Sequence, residues 1–299
     1  MPKRPYSKSA TTFEQQVALL RSRGMEIPNE ERAEALLRHM NYYRLTAYWL
    51  PFETNHAIHQ FKSGTTFEQV VNLYEFDREL RLLVLDAMEK LEVSVRRQWS
   101  YHLGHLHGPH AHLDASLHMS TKHWQSNLAK LQSEVSRSQE VFVRHFSQNY
   151  LEDLPPVWAS SEVMSLGLLS RWFSDLKPMK ARRAIASAYQ LDEKVFQSWL
   201  HHFSLIRNVC AHHGRLWNRE FPVQPMLPNR PLVLFGRFAQ NSKSLYNGLL
   251  MLVYMLDCIN PDNQWRQRLF SLLSKHQVPF DDLGAPPNWA ANPLWKAAS

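Results

Sequence analysis

Residues 66–103 read TFEQVVNLYEFDRELRLLVLDAMEKLEVSVRRQWSYHL, and this run decides the fold. Val70, Tyr74, Leu80, Val84, Ala87, Leu91 and Val95 recur at three- and four-residue steps, the period of one face of an α-helix. Arg78, Arg81, Glu89, Glu92, Arg96 and Arg97 fill the other faces. The spacing predicts one long helix from Thr66 to about Leu103.

Upstream, Thr11-Thr12-Phe13-Glu14 and Thr65-Thr66-Phe67-Glu68 have the form of capping boxes, a hydroxyl at the N-cap and a carboxylate three residues on. A helix is expected after the first, stopping near Gly24. Asn29 caps a second, running to about Met40. The aromatic run Asn41 to Phe52 ends at Pro51 and reads as an ordered turn or short helix, and residues 61–64 as a loop or short β-edge. Downstream, helices are expected over residues 121–148, 158–176 and 192–213, with Pro155-Pro156 breaking the chain between the first two. Pro222, Pro225, Pro228 and Pro231 recur every third residue, a spacing for an extended polyproline-like strap. Helices resume near Ser242, and Asn260-Pro261 reads as cap and first turn of another. The expectation is an all-α chain: an N-terminal helical subdomain (1–63), a helical bundle (64–280) and an irregular C-terminal tail (281–299).

Composition narrows the function. Of 299 residues 44% are apolar, enough for a sizeable core, which excludes disordered and collagen-like chains. Cys210 and Cys258 are the only cysteines, which excludes a disulfide scaffold and fits a reducing compartment. The apolar stretch 249–256 is about half of the ~20 residues a spanning helix needs. The basic start, Met1 to Tyr6, has no apolar segment behind it. A soluble, cytoplasmic protein without a membrane partner is expected. Thirty-four Lys and Arg against twenty-seven Asp and Glu give a charge of +7, which suits a polyanionic partner and is also common in soluble proteins that have none.

The chemistry concentrates in Arg207-Asn208-Val209-Cys210-Ala211-His212-His213, followed by Gly214-Arg215-Leu216-Trp217-Asn218-Arg219. Phe196, Trp199, Leu200, Phe203 and Ile206 form an apolar stripe before it, so the polar cluster falls at a helix C-terminus with Gly214 as its expected cap. Asn208 and His212 share a face. Arg207 and His212 stand about 140° apart on a regular helix, closer if the helix end opens. Arg offers a planar fork that matches phosphate oxygens, and His moves protons near neutrality. RNA carries its own nucleophile, the 2′-OH, so a base and a cation suffice for cleavage. Basic side chains capping a helix end are the structural alternative.

Several segments together give the chain its likeness to known proteins: Asn41-Tyr42-Tyr43-Arg44-Leu45, Tyr48-Trp49-Leu50-Pro51-Phe52, Tyr74-Glu75-Phe76-Asp77-Arg78-Glu79-Leu80-Arg81, Gly108-Pro109-His110, Pro155-Pro156-Val157-Trp158 and the Arg207–His213 run. On these the chain resembles, from about Thr12 to Arg219, the Abi-like family, the AbiD/AbiF-type abortive-infection proteins of bacteria. That resemblance implies the HEPN superfamily: helical domains, commonly dimeric, many of them metal-independent RNases whose motif is Arg, a polar residue, three to five more, then His. Arg207, Asn208 and His212 match it in order and spacing. By this analogy His212 is the general base or acid, Arg207 binds the scissile phosphate and Asn208 holds either in position. The analogy also implies a homodimer with a composite site, no cofactor, RNA as substrate, and an RNA or a protein as candidate antitoxin. RNA contacts are expected at His213, Arg215, Arg219, Arg96, Arg97, His102 and Arg78. A non-catalytic RNA-binding module and a protein-interaction scaffold are the competing readings.

Four further features have two readings each. Arg97-x4-His102 repeats the Arg–His spacing with Gln98 in place of the usual polar residue; Arg96 and Arg97 either line an RNA groove or pair with Glu89 and Glu92. Seven histidines lie between 102 and 123, and without cysteines nearby a His-rich loop facing RNA or solvent is expected rather than a metal site. The run Tyr42, Tyr43, Tyr48, Trp49 either packs or stacks on unpaired bases. Glu75, Asp77, Arg78, Glu79 and Arg81 either form ion pairs along their own helix or send Glu75 or Arg78 toward the catalytic helix.

Overall fold

Two Thr-x-x-Gln boxes open helices in this protein. The Thr12 hydroxyl accepts the Gln15 N–H at 3.2 Å and the Gln15 side chain accepts the Thr12 N–H at 2.9 Å; Thr66 and Gln69 repeat both bonds. Each box stands one residue after the expected Thr-x-x-Glu register, because the pair Thr-Thr followed by Glu-Gln offers two registers. The computed structural model describes residue 5, residues 9–241 and residues 243–296. The basic stretch at Met1–Tyr6, Pro5 apart, the first residue of the helix expected near Ser242, and the last three of the tail lie outside the described residues.

The chain is all-α, with twelve α-helices and one two-stranded sheet among the described residues. It forms two compact units, Met1–Glu79 and Leu80–Ser299. The first holds α1 (Phe13–Ser22), α2 (Glu30–His39), α3 (Tyr42–Trp49), the antiparallel strands β1 (Glu53–Asn55) and β2 (Gln60–Phe61), and the opening turns of α4 (Phe67–His107). Gly24, at φ +92°, turns the chain out of α1. Tyr48 and Trp49 are buried. Tyr48 donates to Asp77 Oδ2 at 2.6 Å, and Trp49 meets Phe61 edge-on.

The second unit holds the rest of α4 and then α5 (Thr121–Arg137), α6 (Val141–Asn149), α7 (Val157–Ser160), α8 (Leu166–Asp175), α9 (Met179–Ser187), α10 (Glu193–Ala211), α11 (Leu245–Ile259) and α12 (Trp265–His276). Two expected helices are each divided. Residues 121–148 break where the Ser138 hydroxyl accepts the Glu140 N–H, a local bond that competes with the helix. Residues 158–176 break at Met164, after which Ser165 caps α8 through the Leu168 N–H. α12 starts at Trp265, because Asn260 and Asn263 accept N–H groups of their own turns instead of capping at Asn260.

α10 runs through the core. Phe196, Trp199, Leu200, Phe203, Ile206 and Cys210 are buried along one stripe. Phe196 meets Phe173 of α8 edge-on at 5.0 Å, and Trp199 meets Tyr254 of α11 at 6.0 Å. At Gly248 of α11 an added Cβ would stand 2.7 Å from Ile206 Cδ1, so glycine lets the two helices approach closely. The proline-spaced segment has no helix and lies on α10: Met226 N–H donates to Ser198 Oγ, Trp199 Nε1–H donates to the Met226 carbonyl and His202 Nδ1 meets the Val223 carbonyl. The tail folds as 3₁₀ turns that stack Trp289 on Phe270 and set Trp295 edge-on to Phe280, and Trp295 Nε1–H donates to the Tyr246 hydroxyl. Among the described residues no helix is long and apolar enough to cross a membrane.

Candidate active site

The stripe that buries α10 leaves its C-terminal end outside. Asn208 and His212 are exposed, and Arg207 is half-buried beside the buried Ile206. The helix stays closed up to His212, whose N–H donates to the Asn208 carbonyl at 3.0 Å. Asn208 and His212 therefore share a face, while Arg207 stands on the next one. Among the described residues no hydrogen bond or ion pair engages the side chains of these three. The structure does not bring them into a closed triad within one chain.

The end of α10 is a Schellman turn. His213 N–H donates to the Cys210 carbonyl and Gly214 N–H to the Val209 carbonyl, at 3.1 and 2.8 Å. The left-handed residue is His213, at φ +56°, so His213 takes the cap position expected for Gly214. Gly214 serves in another way: a Cβ there would lie 3.2 Å from both Val209 Cγ1 and the Val209 carbonyl. Asn218 is also left-handed, and Arg219 donates to the Arg215 carbonyl at 3.2 Å. Arg215 and Arg219 are half-buried and His213 is exposed.

Behind this turn stands Arg81 of α4. It is 4% exposed, and its Nη1 reaches the Gly214 carbonyl at 3.4 Å. The reading of Arg81 as a side chain on an outer face of α4 is thus corrected. So is that of Glu92, which is buried and pairs with Arg96 at 2.6 Å. The helical phase carries both inward: Arg81 falls between Leu80 and Val84, and Glu92 beside Leu91. Arg78 instead pairs with Glu75 on its own helix at 2.7 Å. That pair raises the Arg78 pKa, the Glu75 hydrogen bond first and its charge second.

The second Arg–His spacing is engaged in structure. Arg96 donates to the Met164 carbonyl at the α7–α8 break as well as to Glu92. Arg97 lies 4.7 Å over the Tyr101 ring. Burial lowers the pKa of half-buried His102, and His105 and Arg97 add to the shift. Of the seven histidines, His112 and His118 are buried, which corrects their reading as loop residues facing RNA or solvent. His118 packs 5.0 Å from Trp172, and the His112 carbonyl accepts from Trp124 Nε1–H. Burial, with His110 and His118 nearby, pushes the His112 pKa down to about 4. Among the described residues no group of three or more His, Cys, Asp or Glu is placed to hold a metal ion.

A family model described as Abi-like protein matches residues 35–218, more than half of the chain and inclusive of α10 with its helix end. No curated protein and no solved structure gives a significant match.

Proposed function

The chain belongs to the Abi-like protein family, which suggests a role in abortive infection, and on that premise we propose that it is a metal-independent endoribonuclease of the HEPN type. The observation that carries this reading is Arg207-Asn208-x3-His212 at the end of a buried helix, with Arg207 half-buried and Asn208 and His212 exposed. Its three side chains have no hydrogen-bond or ion-pair partner among the described residues, and the main chain beneath them is fixed by the Schellman turn and Arg81.

In the reaction His212 takes the proton of the RNA 2′-OH as the 2′ oxygen bonds to phosphorus. The P–O5′ bond breaks, and the leaving 5′ oxygen takes a proton from the His212 of a second copy. Arg207 holds the non-bridging oxygens as charge gathers on them. Asn208, one turn before His212, donates to the phosphate or fixes the imidazole. The products are a 2′,3′-cyclic phosphate and a 5′-OH. Because Arg207 and His212 stand on different faces of α10, two copies related by a two-fold axis complete one site between them.

A single 2′-deoxy nucleotide placed at a mapped cleavage position is the test. Cleavage there is lost and neighbouring sites are still cut if the 2′-OH is the nucleophile. Undiminished cleavage at the deoxy position overturns the mechanism. RNA binding without any cleavage transfers the assignment to a non-catalytic RNA-binding module.

A further inference from the structure

The N-terminal unit has a cleft of about 1150 Å³ between the start of α1, the end of α2 and α3. Its lining includes Arg23, Arg38, His39, His59, Tyr42 and Tyr43, and no Asp or Glu among the described residues. Three carboxylates of this unit are held by cations: Glu30 by Arg21, Glu75 by Arg78, and the buried Glu53 by His56 and by His59 of the lining. Arg38 acts on exposed Glu14 only as the weakest of the influences on that carboxylate. Neither Arg23 nor Arg38 has an ion-pair partner among the described residues. Arg23 donates to the Tyr42 hydroxyl at 2.8 Å, and Arg38 lies 5.5 Å from the Phe13 ring. Both guanidinium groups keep donors for an anion.

The aromatic wall is graded in exposure. Trp49 is buried, Tyr42 half-buried and Tyr43 67% exposed. The rings are joined edge to face, Trp49 to Tyr42 at 4.9 Å and Tyr42 to Tyr43 at 6.1 Å. The ladder holds Tyr43 at the rim of the cleft without burying it. Core packing accounts for Tyr48 and Trp49 and leaves Tyr43 unexplained. Complementarity to a helix C-terminus accounts for Arg38 and His39 at the end of α2, but not for their meeting Arg23 and an exposed ring in a cleft whose described lining holds no Asp or Glu.

We propose that this cleft binds single-stranded nucleic acid, with an unpaired base stacked on Tyr43 and the flanking phosphates on Arg38 and Arg23. A ring for the base and a fork for the phosphate are the two elements of single-strand recognition. The inference does not rest on cleavage, since the cleft belongs to the other compact unit from α10.

The test measures binding of a fluorescent oligouridylate, an oligodeoxythymidylate and a duplex RNA to the full chain carrying His212→Ala, so that nothing is cut. The parent is expected to bind both single strands and to bind the duplex more weakly. Tyr43→Ala weakens single-strand binding by roughly tenfold, and Tyr43→Phe, which keeps the ring, preserves it. Arg38→Gln lowers the slope of log K against log salt by about 0.7, one phosphate contact. Circular dichroism matching the parent shows that these surface variants fold. Single-strand affinity and salt slope unchanged in the Tyr43→Ala, Arg38→Gln double variant overturn the proposal, as does equal binding of the duplex. Loss of cleavage without loss of this binding separates failure of the nuclease reading from failure of the cleft.

Discussion

At the scale of single residues, Arg81 decides how firmly the helix end is held. It is buried, and its bond to the Gly214 carbonyl fastens the turn that follows His212 and His213. Arg81→Met is expected to cost about 2 kcal/mol, the weight of a hydrogen bond from a charged donor, and to lower cleavage further than stability alone explains. Urea unfolding and cleavage rates at a temperature where the variant is folded check this; an unchanged rate there denies Arg81 a positioning role. Its place was legible in phase and hidden by residue type. Asp77 and Arg81 stand four apart between Leu73 and Val84 on the buried stripe, yet a dense run of charges reads as a solvated face. His112 and His118 show the opposite limit. Nothing in the immediate sequence separates them from exposed His105 and His107, since they meet Trp124 of the helix that follows and Trp172 of α8.

Among elements, the helices with long apolar stripes were the legible ones, and the breaks were not. The α10 stripe and the expected helix start near residue 192 agree with the structure, because a repeated period outweighs any one residue. Breaks at Ser138 and Ser165 turn on one hydroxyl each, and serine carries too weak a preference to announce them. α9 had no anticipated counterpart: its buried face is Ala181, Ile185 and Ala186 with Arg182, too small a stripe to stand out. Ser165→Ala is expected to lower stability by about 1 kcal/mol, the usual worth of an N-cap, read as a shift in urea midpoint at constant slope. Gly214→Val forces a branched side chain against the Val209 carbonyl and is expected to cost about 1–3 kcal/mol; a neutral result would mean that the turn after α10 relaxes freely.

For the whole molecule, buried histidines contribute to the response to acid. Burial pushes the His112 and His202 pKa values down to about 4. Both rings are neutral in the fold, whereas in the unfolded chain they titrate near 6.5. The unfolded state thus takes up protons first. Their contribution is complete above about pH 6.5 and is lost as the pH falls toward 4, at most ~3 kcal/mol for each ring. Urea midpoints should decline across that window and decline less in His112→Leu; a flat profile contradicts the account. The composite site belongs to the same scale. Wild-type chains exchanged one to one with His212→Ala chains should keep roughly a quarter of the wild-type activity, since only about a quarter of the dimers then carry the two His212 side chains that one site uses. Retention of half of the activity would place each site within one chain.

The most direct measurement of the central claim is cleavage of end-labelled single-stranded RNA in excess EDTA, by the wild type and by His212→Ala side by side. His212 is exposed and follows the last residue of α10, so the variant should unfold at the wild-type urea midpoint. The account predicts wild-type products with cyclic phosphate ends and their loss in the variant. Equal cleavage by both proteins would contradict it.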